Sequence, residues 1–72
     1  MSDGELALLV NGEPRAVPPG CTVEGLVRTL GLDRRRIAVA VNRHVVPRSD
    51  FTSRRLTAGD RIEILEAVGG GS

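Results

Sequence analysis

Seventy-two residues make one small domain, which buries only about 60% of the surface its unfolded chain exposes and has little room for a private catalytic cleft. Ten basic residues against nine acidic ones give a net charge of +1, too balanced for the overall field to select nucleic acid or a membrane surface. One aromatic residue, Phe51, offers no platform for stacking bases, and one cysteine, Cys21, cannot close an internal disulfide.

No N-terminal stretch joins basic residues to an apolar run of signal-peptide length, and no apolar run approaches the roughly 20 residues that span a bilayer. A cytoplasmic chain is expected, with proteins or small molecules as partners. All the basic residues are arginine and lysine is absent. A compositional bias explains this in the ordinary way; the functional alternative is that a chain bearing an activated acyl terminus gains from lacking amines that would attack it.

Residues 5–10 (ELALLV) read as a first strand, and Asn11-Gly12 after them suits a type I′ hairpin, in which both turn positions need positive φ. The returning strand, 13–17, holds Pro14, which has no N–H to give a ladder and so belongs at a sheet edge. Pro18-Pro19-Gly20 ends it. Thr22 is placed to cap a helix over 23–30, with Glu24 in the first turn and Gly31 as the stop. Val23, Leu26, Val27 and Leu30 fall on one stripe of that helix, and Gly25, off the stripe, weakens it by about 1 kcal/mol relative to alanine.

Residues 37–41 place Ile37, Val39 and Val41 on one face and Ala38 and Ala40 on the other, the pattern of a central strand. From 42 to 59 the pattern is irregular, with a short Val45-Val46 piece, Pro47, and a turn at Asp50-Phe51-Thr52-Ser53. Ala58-Gly59-Asp60 turns into a last strand over 61–67. Strand, strand, helix, strand, short strand and strand make an α+β roll, a small mixed sheet packed on one helix. The expected division is a body of 1–68 and a glycine tail of 69–72.

If Leu6, Leu8, Val10, Ile37, Val39, Val41, Ile62 and Ile64 face the helix, alternation puts Leu9, Ala38, Ala40 and Leu65 on the opposite side. That face would be flat and partly apolar, a surface for a protein partner. The tail, Val68 followed by Gly69, Gly70, Gly71 and Ser72, has no side-chain chemistry to offer beyond its serine. Its backbone can enter places closed to other residues, and four residues reach up to roughly 14 Å.

Other candidates carry little. Cys21 precedes the helix N-terminus, where a thiol pKa can fall, but an inert small side chain at a strand-to-helix junction is the favoured reading. His44 has no His or Cys at metal-ligand spacing and reads as a solvated loop residue. Arg34-Arg35-Arg36 reads as a solvated run, with an acidic docking patch on a partner as the alternative. No nucleophile triad and no phosphate-binding glycine loop can be argued, so no catalytic residue is assigned.

The chain resembles the β-grasp, ubiquitin-like sulfur carriers of the ThiS family. The residues that carry the likeness are Leu9-Val10-Asn11-Gly12-Glu13, Thr22-Val23-Glu24-Gly25-Leu26, Ala38-Val39-Ala40-Val41-Asn42-Arg43, Val46-Pro47-Arg48, and Ala58-Gly59-Asp60-Arg61-Ile62-Glu63-Ile64 leading to Ala67-Val68-Gly69-Gly70. They occur in order, with matching spacing, over nearly the whole length. The resemblance implies a protein substrate, not an enzyme. An E1-like adenylyltransferase of the ThiF type uses ATP and magnesium to adenylate the terminal glycine, with no cofactor bound by the carrier itself. A cysteine desulfurase or sulfur relay protein supplies the sulfur of a thiocarboxylate, and a thiazole synthase of the ThiG type receives it for thiamin.

A C-terminal carboxyl titrates near 3.3 to 3.7, so at neutral pH it is an anion and a poor electrophile until a leaving group is installed. The family terminus is a free diglycine, whereas this chain runs on to Ser72. A peptidase removing Ser72 would expose Gly71; the serine-ended tail could instead be used directly or be inactive; or Gly-Gly-Gly-Ser could be an appended linker. The same scaffold also serves as the small subunit of molybdopterin synthase and as a carrier in cysteine or natural-product biosynthesis. A lysine-conjugated modifier and a binding module with an idle tail are the alternatives of other classes.

Overall fold

The computed structural model describes residues 4–67. Strand β1 (Leu6–Val10) turns through Asn11 and Gly12 into β2 (Glu13–Val17) as an antiparallel hairpin. The turn residues have φ of 51° and 84°, both positive as expected of a type I′ turn. Pro14 lies opposite Leu9 on β2, the edge strand, where its missing N–H costs the sheet nothing.

Helix α1 (Val23–Thr29) begins and ends on side-chain and glycine signals. The Thr22 hydroxyl accepts the Gly25 N–H at 3.1 Å. At the other end Gly31, with φ of 73°, donates to the Arg28 carbonyl and Leu32 donates to that of Val27, the paired bonds of a Schellman stop. The stripe of Val23, Leu26 and Val27 is buried, while Leu30 caps the helix half-buried.

Strand β3 (Ile37–Val41) pairs antiparallel with β4 (His44–Val46) and with β5 (Arg61–Glu66), and β5 lies parallel to β1. The sheet order is β2-β1-β5-β3-β4. The last strand, not β3, is therefore the middle of the sheet, although β3 has a neighbour on each side as a central strand should. The stretch read as irregular holds a second tight turn: Asn42 and Arg43 have φ of 52° and 71°. His44, exposed as expected, opens β4 and does not lie in a loop.

The core follows the alternation. Leu8, Val10, Ile37, Val39, Val41, Ile62 and Ile64 are buried against α1, and Leu6 packs partly on them. Phe51 departs from the sequence reading most. Its backbone lies in the expected turn, after a 3₁₀ turn at Arg48–Asp50, but its ring is fully buried. The Phe51 carbonyl accepts the Glu24 N–H at 2.9 Å, and the Val23 N–H reaches the Arg54 carbonyl at 3.0 Å, so this segment is tied to the first turn of the helix.

Candidate functional site

Two features of β5 define the site. Ile62 and Ile64 point into the core, which sends Arg61, Glu63 and Leu65 to the uncovered face of the sheet. The register then places Leu65 beside Ala38, Glu63 beside Ala40 and Arg61 beside Leu9. All the face residues expected from the sequence, Leu9, Ala38, Ala40 and Leu65, lie on this side. Leu65 stands proud at 73% exposure, and Leu9 is half-buried.

The sequence reading missed Val45. It lies opposite Ala40 and is 76% exposed, and with Leu65 it is one of two large apolar side chains left in solvent among the described residues. The signal was available: once 44–46 pairs with 39–41, alternation puts Val45 on the alanine side. Ala38, Ala40, Val45 and Leu65 line a shallow depression of about 200 Å³. A larger cleft of about 570 Å³ runs along the same face between Leu9, Arg43, Arg61, Glu63 and Leu65. Small alanines between projecting Leu65 and Val45 make a shallow apolar seat open to solvent, and the arginines and Glu63 at its side supply polar rim groups.

The second feature is the far end of β5. The Ala67 N–H donates to the Arg36 carbonyl at 2.7 Å, so the strand is held by β3's leading turn up to the last described residue. Val68, Gly69, Gly70, Gly71 and Ser72, the expected tail, lie outside the described residues.

Arg34-Arg35-Arg36 form a 3₁₀ turn capped by Asp33, whose carboxylate accepts the Arg35 N–H at 2.9 Å. They are not one solvated run. Arg34 lies over the Phe51 ring at 5.8 Å, approaches the Glu24 carboxylate at 3.4 Å, and donates to the Arg48 carbonyl at 3.1 Å. Glu24 Oε1 is buried and takes part in that ion contact without hydrogen-bond geometry. Arg35 and Arg36 remain exposed.

Cys21 is half-buried, and burial pushes its thiol up, away from reactivity. Thr22, not the cysteine, takes the helix N–H, so the inert reading holds over the activated one. Among the described residues no group of His, Cys, Asp and Glu is placed to hold a metal ion, and no helix is long and apolar enough to cross a membrane.

A mixed five-stranded sheet wrapped on one helix, with its last strand central and leading to the chain end, defines a β-grasp roll. Residues 8–71 match the ThiS family model, and the chain belongs to the ThiS family of sulfur carriers. It is similar to the crystal structure of the thiamine biosynthesis protein ThiS from Geobacter metallireducens, with a TM-score of 0.75 and 30% identity over 92% of this chain and 100% of that one. It is also 40% identical over 67 residues to a thiazole synthase of Paramagnetospirillum magneticum and 39% identical over 62 residues to one of Magnetococcus marinus. Those matches cover 93% and 86% of this chain but only 21% and 19% of the relatives, so the chain spans about a fifth of their length.

Proposed function

We propose that this chain delivers sulfur for the thiazole of thiamin as a thiocarboxylate on its C-terminal glycine. The observation that carries the reading is the thiazole synthase likeness: a segment 40% identical to nearly this whole chain occupies about a fifth of a polypeptide named for making the thiazole. A segment like this chain carried within a thiazole synthase polypeptide supports a reading in which the two work on one another. The thiazole synthase is thus one partner, and the seat formed by Leu9, Ala38, Ala40, Val45 and Leu65 is the surface offered to partners.

The body, 1–68, is the handle and the tail, 69–72, is the reagent. Removal of Ser72 by a peptidase exposes Gly71 as the terminal carboxylate, with Gly70, Gly69 and Val68 as its leash. A carboxylate resists acyl transfer because its charge must first be masked by a leaving group, so an E1-like adenylyltransferase joins it to AMP at the expense of ATP, with magnesium, and releases pyrophosphate. The outer sulfur of a donor persulfide, loaded by a cysteine desulfurase, then displaces AMP to give an acyl disulfide. A second thiol attacks the donor sulfur of that S–S bond, releasing the thiocarboxylate and leaving the donor as a disulfide. Glycines without Cβ atoms let the partner close on the backbone. The carrier contributes no catalytic residue of its own.

Intact mass analysis of the native protein tests this directly. The expected spectrum shows loss of one serine residue and exchange of one oxygen for sulfur at the terminus. Conjugates to lysines that survive denaturation and reduction would instead make the chain a modifier, and an unaltered mass in cells making thiamin would end the proposal.

A further inference from the structure

The end of the molecule from which the tail departs carries cations that the fold does not use. Of the arginines in the 3₁₀ turn, Arg34 is engaged by Glu24 and the Phe51 ring. Among the described residues the Arg35 guanidinium meets only Asp33, at 3.5 Å, with its own side chain 80% exposed. Such an exposed contact holds a guanidinium weakly. Arg36 forms no ion pair among the described residues, and its carbonyl holds the Ala67 N–H, which puts its Cα at the point where the tail begins.

Arg35 and Arg36 also border a depression of about 340 Å³ lined by Ile37, Ala38, Leu65 and Ala67. Ala38 and Leu65 belong to the open face, so the cations and the apolar seat form one continuous surface. Glu66 lines the same depression and Asp33 contacts Arg35, so two carboxylates stand near Arg35 and Arg36, with the Arg48 guanidinium beside them donating to the Arg35 carbonyl at 3.4 Å.

We infer that Arg35 and Arg36 form a cationic collar around the root of the tail that docks on a carboxylate-rimmed mouth in the protein that takes the tail. The inference rests on the proposed function and adds to it the chemistry of the surface that receives the carrier. The collar faces protein carboxylates and not the phosphates of a nucleotide. Residues 68–71 can carry the reacting carboxylate up to roughly 14 Å past Ala67, so whatever activates the tip lies well away from the root. Cations at the root meet the entrance.

Charges on an interface rim act chiefly on encounter, raising the association rate in a manner that salt suppresses. The test measures ATP-dependent adenylation of the mature chain, ending at Gly71 after loss of Ser72, by the E1-like adenylyltransferase of the same organism, varying carrier and ionic strength. For the double variant Arg35→Glu, Arg36→Glu the expected result is a KM for carrier raised about tenfold or more at low salt with kcat held within about twofold, and a difference from wild type that shrinks as salt rises. The double Arg35→Lys, Arg36→Lys variant restores KM, because the collar needs charge and not the guanidinium fork. Unchanged melting temperatures verify folding of both. A KM indifferent to charge reversal, or a loss confined to kcat, overturns the collar while wild-type adenylation leaves the proposed function standing. Absence of wild-type adenylation overturns both.

Discussion

Asn11 and Asn42 do with side chains what a wider sheet would do with backbone. Each occupies a positive-φ turn position, and each reaches across to β5. Asn11 accepts the Ile64 N–H at 2.8 Å and donates to the Ile64 carbonyl at 3.3 Å. Asn42 accepts the Arg61 N–H at 2.9 Å and donates to the Asp60 carboxylate at 2.9 Å. The middle strand is thus held at both flanking turns. Asp60 is the one buried charged residue of the described body. Burial pushes its carboxyl up, but bonds from the Thr57 N–H, Asn42 and the Thr57 hydroxyl, with the positive charge of Arg54, outweigh burial and leave it below the usual aspartate range. A carboxyl depressed in the folded state binds fewer protons there than in the unfolded chain, so its contribution is complete above the unfolded pKa of about 3.9 and disappears as pH falls through the folded value. Asp60→Asn should cost about 1–3 kcal/mol at pH 7. It should also shrink the loss of stability between pH 5 and the acid limb, read as urea midpoints across pH. Asp33, depressed by the Arg35 N–H it accepts, titrates in the same window, so some acid sensitivity should survive.

At the scale of the element, β5 separates stability from recognition by a single residue of alternation. Ile64 is 7% exposed and Leu65 is 73% exposed. Ile64→Ala removes buried methylenes and should cost about 2–5 kcal/mol, a large part of what a domain of this size possesses. Leu65→Arg should shift folding by no more than about 0.5 kcal/mol and yet weaken binding of the adenylyltransferase by about 1–2 kcal/mol, through a charge buried in an apolar seat. Thermal melts and isothermal titration on the same preparations separate the two effects; a Leu65→Arg protein with a lowered melting temperature and unchanged affinity would reverse the assignment of the faces. Elements with local signals were legible in the sequence to this resolution. Asn11-Gly12 marked the hairpin, Thr22 and Gly31 the helix ends, and the alternation of Ile37, Val39 and Val41 both bounds and face of β3. Phe51 and Arg34 were not, and for one shared reason: each is placed by partners distant in sequence. Val45 was missed because the Asn42-Arg43 turn that pairs it with Ala40 holds no glycine to announce a hairpin. A lone aromatic in a run of turn formers gives no periodicity to read. Arg34 departs from its neighbours only because Glu24 and Phe51 converge on it.

Over the whole molecule the proposed division of labour is between a body that binds and a tail that reacts. The face residues could be anticipated from alternation alone, whereas the cationic collar depends on Arg36 meeting Ala67, a pairing of chain positions no local pattern encodes. If handle and reagent are separate, chemistry can be removed without removing affinity. Gly70→Val introduces a Cβ and a branched side chain where the proposal has the partner close on bare backbone, but leaves every residue of the seat and the collar unchanged. The variant should melt with wild type, fail to be adenylated, and bind the adenylyltransferase with a Kd within about threefold of wild type, since the contacts that carry affinity lie elsewhere. It should therefore act as a competitive inhibitor of wild-type adenylation, raising apparent KM and leaving kcat alone. Adenylation of Gly70→Val at the wild-type rate would mean that the tail is not read as glycine backbone. Failure to compete would mean that the tail itself, and not the sheet face, supplies the affinity.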